Sequence, residues 1–154
     1  MTLAERLNSA RKQAMRDQSA ERLSTLRLIN AAITDKNIDL RGQGKMDGVS
    51  DQDILAILSK MGKQRQESAQ IYEEGGRLDL AEQERREIQI IEEFLPKQLT
   101  ADQVAAAVDT AIQKTGATSV RDMGRVMGSL KSNYAGQMDF GQVGPMVKDR
   151  LCNS

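Results

Sequence analysis

Apolar residues recur every three or four positions along nearly the whole chain, a spacing that places them on one face of an α-helix. No segment shows the alternation of apolar and polar residues that is typical of a β-strand. The pattern therefore predicts an all-α fold. The predicted helices cover residues 3–16, 18–38, 51–74, 77–94, 101–114 and 120–131, and a seventh begins after Asp139 or Gly144.

Helix-terminating residues divide these seven helices into two groups. Pro96 follows the fourth helix, and a residue that precedes proline avoids the helical conformation. A little further on, Thr100 and Gln103 have the spacing of a capping box, in which each side chain binds the backbone N–H of the other residue. We therefore expect an N-terminal four-helix subdomain in residues 1–96 and a C-terminal three-helix subdomain in residues 97–154.

Local departures from the amphipathic pattern also carry predictions. Residues 41–48, RGQGKMDG, contain three glycines and no apolar periodicity, which predicts an exposed loop. Residues 63–70, KQRQESAQ, are almost all polar, which predicts that the third helix extends past its neighbours. We expect Ile71 and Tyr72 to close the apolar stripe of that helix and Leu78 to open the next one. Pro145 is expected in the first turn of the last helix or at a kink in it.

The composition narrows the chemistry that the chain can perform. Aromatic residues make up only 3% of it, so a core must be built from aliphatic residues, Met and Ala. Histidine, the commonest general base and metal ligand, is absent, and the single cysteine, Cys152, has no imidazole to activate it. We predict no catalytic residue, no metal site and no cofactor. The lone cysteine and the lack of any signal or membrane-spanning sequence predict a cytoplasmic protein.

The charges balance over the whole chain but not within its two parts. The formal net charge is zero, which gives no global field to attract a nucleic acid or a membrane. Residues 1–96 hold 15 basic and 17 acidic residues, whereas residues 97–154 hold 7 basic and 5 acidic ones. The C-terminal subdomain is therefore slightly basic, which is a small argument for an anionic partner.

The sixth predicted helix contains two glycines one turn apart, Gly124 and Gly128. An interior glycine costs about 1 kcal/mol relative to alanine, so these residues need a reason. One interpretation is that they let another helix of the same subdomain approach closely. The other is that they face outward, where a bare strip lets an RNA backbone lie flat while Arg121 and Arg125 hold its phosphates. Lys131, at the end of the helix, would add one more phosphate contact.

The opposite face of the same helix is predicted to be buried. Its apolar residues have helical spacing, and methionines at such positions most often fill a core. The two Tyr and two Phe residues of the chain are scattered and offer no platform for stacked bases, which argues against binding of single-stranded RNA. The residues of the buried face are Val120, Met123, Val126, Met127 and Leu130, and Ser119 and Asp122 resemble a capping box at its start.

Several motifs resemble those of the YqeY family. GGRLDLAE, EEFLPKQL and DMGRVMG occur at the intervals typical of that family, and the resemblance extends over nearly the whole chain. The family is similar to the tail region of the B subunit of the tRNA-dependent amidotransferase, which converts Glu-tRNA(Gln) or Asp-tRNA(Asn) to the amide with glutamine as nitrogen donor. That tail is helical, contacts the tRNA and carries none of the chemistry. The resemblance implies that a tRNA-facing surface is formed by Arg121, Gly124, Arg125, Gly128 and Lys131.

The sequence therefore leaves two functions to compare. The first is a non-catalytic helical module that binds tRNA or structured RNA through the C-terminal subdomain. The second is a protein-interaction adaptor, or an accessory subunit of an amidotransferase-like enzyme, which docks through the charged faces of the third and fourth helices. Carbon–nitrogen ligase chemistry by this chain alone is disfavoured, because the sequence has neither an activated glutaminase nucleophile nor a P-loop.

Overall fold

The computed structural model describes residues 1–152, and within them the chain is helical with no strand. The all-α prediction is confirmed. A short 3₁₀ helix, Val120–Asp122, directly precedes the sixth α-helix. The α-helices are α1 (Leu3–Arg16), α2 (Ala20–Gly42), α3 (Asp51–Glu74), α4 (Leu78–Glu92), α5 (Ala101–Thr115), α6 (Met123–Asn133) and α7 (Phe140–Cys152).

Backbone contacts divide the chain into two compact units, Met1–Leu95 and a second that starts at Pro96. The first unit holds α1 to α4 and the second holds α5 to α7. At the start of α5, the Thr100 N–H donates to the Gln103 side chain at 2.9 Å, and the Gln103 N–H donates to the Thr100 hydroxyl at 3.2 Å. This reciprocal pair is the capping box that the sequence predicts.

The first unit buries a cluster of mainly aliphatic side chains between its four helices. Ile29, Ile54 and Leu58 are fully buried at its centre. The Arg6 guanidinium lies over the Phe94 ring, 5.6 Å from the ring centroid, at the edge of this cluster. The other buried members are Leu3, Leu7, Ala14, Leu26 and Ile91.

A Schellman motif joins α3 to α4 and sets the two helices into a hairpin. The Arg77 N–H donates to the Tyr72 carbonyl at 2.8 Å, and the Gly76 N–H donates to the Glu73 carbonyl at 3.1 Å. Gly76 has φ +76°, a left-handed conformation that glycine adopts without steric cost. Helix α3 therefore ends at Glu74, where the sequence predicts its end.

The end of this hairpin is exposed, contrary to part of the sequence prediction. Ala69 and Ala81 are buried there but lie outside the core cluster of the first unit. Ile71 and Leu78 are 67% and 58% exposed, so the prediction that they continue the inward stripes is wrong. Two helices alone bury only the side chains that face each other, and small alanines fill that contact.

Several helix boundaries differ from the prediction by a few residues, and the last helix starts at the first of its two predicted positions. Helix α2 runs to Gly42, past the predicted end at residue 38, because Leu40 is buried and extends the inward stripe by another turn. Helix α7 begins after Asp139, whose carboxylate accepts the Gly141 N–H at 3.0 Å. Pro145 therefore falls in the second turn of α7 and not in the first. Because proline has no N–H, one helical hydrogen bond of the second turn is not made.

The second unit has its own core between α5, α6 and α7. Val108, Val126 and Val147 are fully buried at its centre. Met123 and Met127 pack against this cluster, which confirms their predicted role as core fillers. The other buried members are Ala107, Ala111, Leu130, Met138, Val143 and Leu151.

None of the helices within residues 1–152 combines the length and the apolar content needed to cross a membrane.

The most unusual core residue is Thr25 in α2, which is fully buried. Within the described part of the chain its hydroxyl oxygen has no hydrogen-bond partner. A buried hydroxyl without a hydrogen-bond partner lowers the free energy of unfolding. An apolar side chain of the same shape does not have this cost.

We predict that Thr25→Val stabilises the first unit by about 1 kcal/mol, because valine keeps the shape and removes the unpaired hydroxyl. The measurement is urea denaturation followed by tyrosine fluorescence. In a Tyr134→Phe background Tyr72 is the sole tyrosine and reports on the first unit, since the chain has no tryptophan. Thr25→Ser is the matched control and should destabilise, because it keeps the hydroxyl and loses the methyl. Equal stability of the Val and Ser variants would contradict the assignment.

Candidate functional site

The start of α6 is built around the carboxylate of Asp122. One oxygen of this carboxylate accepts the Thr118 N–H at 2.9 Å and the Ser119 N–H at 3.3 Å. These bonds stabilise a 3₁₀ turn, so α6 begins at Met123 and not near residue 120 as predicted. A 3₁₀ turn has three residues per turn, which rotates Val120 away from the buried face. Val120 is 39% exposed, and its predicted burial is therefore wrong.

The two glycines of α6 lie on its exposed side. Gly124 is in the first turn and Gly128 is in the middle of the helix. A Cβ added to either would meet nothing within 4 Å, apart from the nearby helix backbone and the chain neighbours. Neither glycine has a positive φ. Within residues 1–152, no neighbouring helix and no special backbone conformation therefore requires glycine at these positions.

Arg125, between the two glycines, is held by hydrogen bonds at its guanidinium group. Its Nη2 donates to the Asp122 carboxylate at 2.5 Å, and its Nη1 donates to the Thr115 carbonyl, the last residue of α5, at 3.2 Å. The arginine side chain is nevertheless 61% exposed, whereas the Asp122 side chain is 21% exposed. The guanidinium is thus fixed in place while much of its surface faces solvent.

The other two basic residues of the predicted surface are also exposed. Arg121 lies in the 3₁₀ turn and Lys131 in the last turn of α6. Residues three or four apart are neighbours on a helix surface, which connects these side chains to the two glycines. We call the set of Arg121, Gly124, Arg125, Gly128 and Lys131 the α6 strip.

The hydrogen bonds at Asp122 change its acidity. The backbone N–H of Thr118, followed by the Arg125 guanidinium, lowers the pKa of Asp122 from its ordinary value of 3.8 to about 2. Both groups stabilise the charged carboxylate, which is why the shift is downward. The Asp122 carboxylate, which binds Arg125, therefore stays charged at any neutral or mildly acidic pH.

A cavity of about 330 Å³ lies in the first unit, lined by residues of α1 together with Arg22 and Phe94. Its one carboxylate, Asp17, accepts a hydrogen bond from Gln13 at 3.0 Å. Across the described range 1–152, no group of three or more Asp, Glu or Cys side chains is placed to hold a metal ion.

The exposed position of the two glycines agrees with the second of the two interpretations that the sequence leaves open, whereas the partners of Arg125 were not predicted. The Asp122 partnership has a readable signal, because an acid three residues before an arginine on a helix is a favourable pair. The Thr115 carbonyl has no signal, since it reaches Arg125 only through the packing of α5 against α6. The α6 strip stays a prediction as a binding surface.

Within residues 1–152, seven α-helices in two units define an all-α protein, and its predicted binding residues lie on the exposed side of α6. The family model described as Yqey-like protein matches residues 4–151, nearly the whole chain. The chain belongs to the YqeY family. The comparison with curated proteins gives no match.

We predict that Gly128→Ala raises the free energy of unfolding of the second unit by about 1 kcal/mol, because alanine has the higher helix propensity and meets no steric obstacle. The measurement is urea denaturation in a Tyr72→Phe background, where Tyr134 reports on the second unit. Gly116→Ala is the matched control: the site is equally open, but its φ is +66°, which disfavours any L side chain. That control should lose stability. A destabilising Gly128→Ala would mean that the glycine has a packing role.

The depressed pKa of Asp122 gives a second prediction. A carboxyl whose folded pKa lies below its unfolded value contributes stability above pH 3.8, and this contribution is lost as the pH falls through about 2. An NMR titration of the Asp122 side-chain carbonyl carbon should therefore give a midpoint near 2. In Arg125→Gln the midpoint should rise but stay below 3.8, because the Thr118 N–H remains. A midpoint near 3.8 in the unmodified protein would contradict the hydrogen bonds assigned to the Asp122 carboxylate.

Proposed function

We propose that this YqeY-family protein is a cytoplasmic, non-catalytic module that binds tRNA or another structured RNA through the α6 strip. The observation that supports the proposal most is that no packing contact within residues 1–152 requires glycine at position 128. It stands in the middle of a helix, it costs stability relative to alanine, and a Cβ there would meet nothing within 4 Å. A residue that lowers stability without a role in packing or in the backbone conformation is typical of a functional position.

The chemistry of the strip fits a sugar–phosphate backbone. Bare helix surface at Gly124 and Gly128 lets a bulky polymer approach closely, and guanidinium groups bind phosphate oxygens through paired N–H donors. Contacts of this kind position a nucleic acid without reading its sequence. Recognition would therefore depend on RNA shape, which is how proteins usually recognise structured RNA.

Family membership supports the same direction. The resemblance of the YqeY family to the tail region of the amidotransferase B subunit relates the chain to a helical segment that contacts tRNA. The relation concerns binding, because glutamine-dependent amide formation needs a nucleophile and a nucleotide site that this sequence lacks. Any carbon–nitrogen ligase activity would belong to a partner enzyme and not to this chain.

A protein-docking role for α3 and α4 is the second candidate. The observation that favours it is the exposure of Ile71 and Leu78 at the hairpin end, beside many charged residues. Large exposed apolar side chains mark interaction sites when they cluster. An Ile71→Glu/Leu78→Glu variant that loses a stoichiometric protein partner while keeping its helical fold would support this role.

The test of the RNA proposal is a filter-binding titration against total tRNA at several salt concentrations. We expect micromolar or tighter binding that weakens as salt rises, because phosphate contacts release counterions. The Arg121→Ala/Arg125→Ala variant should reduce the slope of log K against log salt by about 2, one for each lost phosphate contact. Gly128→Ala should weaken binding although it stabilises the helix.

Lys12→Ala/Arg16→Ala provides the matched control for this experiment. It removes the same charge with the same four-residue spacing from the exposed surface of α1 in the other unit. This variant should leave the salt slope nearly unchanged. An equal effect of the two double variants would show that only net charge matters, and a lack of binding at low salt would refute the proposed function.

A further inference from the structure

Arg125 differs from a freely moving surface arginine in having two fixed partners. A guanidinium group carries five N–H donors, and the bonds to Asp122 and to the Thr115 carbonyl each use one of them. The remaining donors belong to a side chain that is 61% exposed. The group is therefore oriented before any ligand arrives.

We propose that Asp122 is a positioning residue for RNA: its carboxylate orients the guanidinium of Arg125, a residue that lies between Gly124 and Gly128 along α6, with the remaining N–H donors open to phosphate. This inference rests on the function proposed above. Its physical basis is pre-organisation, because an arginine that is already ordered loses less conformational entropy when it binds a ligand. The Thr115 carbonyl completes the arrangement by anchoring the same guanidinium to the end of α5.

A carboxylate next to a phosphate-binding arginine also has an opposing effect. It carries a negative charge, which repels phosphate and weakens the general attraction for a polyanion. The two effects give removal of the charge opposite consequences. If Asp122 only neutralises Arg125, Asp122→Asn tightens RNA binding, whereas if Asp122 positions the arginine, the same change weakens it.

Asp122→Asn is a suitable probe because asparagine keeps the size and an oxygen that can accept the Thr118 N–H, while the ionic bond to Arg125 is lost. We expect tRNA affinity to fall about five-fold, which is the scale of ordering one long side chain. Asp149→Asn is the matched control, since it removes the same negative charge from an exposed position of α7 in the same unit. That control should bind equally well or slightly more tightly.

A variant cycle separates positioning from general damage to the helix. In an Arg125→Ala background, Asp122→Asn should no longer weaken binding, because Asp122 acts through the arginine. A purely structural role would weaken binding in both backgrounds. The free protein gives an independent signature: ¹⁵N relaxation of the Arg125 Nε should show restricted motion, and Asp122→Asn should release it.

Each outcome has a definite meaning. Weaker binding by Asp122→Asn, only when Arg125 is present, supports the inference. Tighter binding by Asp122→Asn, or an Arg125 Nε as mobile as that of an ordinary surface arginine, overturns the inference and leaves the RNA function intact. Absence of tRNA binding by the unmodified protein refutes the function and the positioning role together.

Discussion

The exposed side of α6 depends on one carboxylate, that of Asp122. Its two oxygens connect three parts of the second unit: the backbone N–H groups before the 3₁₀ turn, the guanidinium of Arg125 and, through that guanidinium, the end of α5. The first set of bonds fixes where α6 begins and which residues face the core. The second fixes a charged group on the opposite face. Local folding and surface chemistry are therefore controlled by the same side chain.

The glycines of α6 acquire their meaning from this arrangement. With Val126 and Leu130 fully packed on the inner face, the helix does not need an open outer face for stability. An outer face with alanine at 128 would be more stable by the ordinary helix propensities. In the proposed function, glycine adds access, because a helix surface without side chains lets a large ligand approach closely. The strip thus combines a hydrogen-bonded guanidinium with two helix positions that carry no side chain.

Much of the fold follows from the sequence because it is locally encoded. Apolar spacing and the capping box at Thr100 predict helix type and most boundaries, since both act within one or two turns. The errors occur where a distant contact decides. Ile71 is apolar and correctly spaced, yet it is exposed at the end of the α3–α4 hairpin. For the candidate site, the exposed glycines and arginines were predictable from helical geometry, but the Thr115 contact was not, because it crosses between two helices.

The charge balance of the second unit constrains the kind of RNA recognition that the strip can support. That unit has only two more basic than acidic residues, and Arg125 shares its charge with Asp122. Long-range attraction for a polyanion is consequently small, and a disordered RNA would gain little from it. A folded RNA that presents its phosphates at a fixed spacing can contact an ordered guanidinium and a surface without side chains at the same time. Neither partner then loses much conformational entropy on binding. Selectivity for structured over flexible RNA would in that case come from rigidity on both sides of the contact.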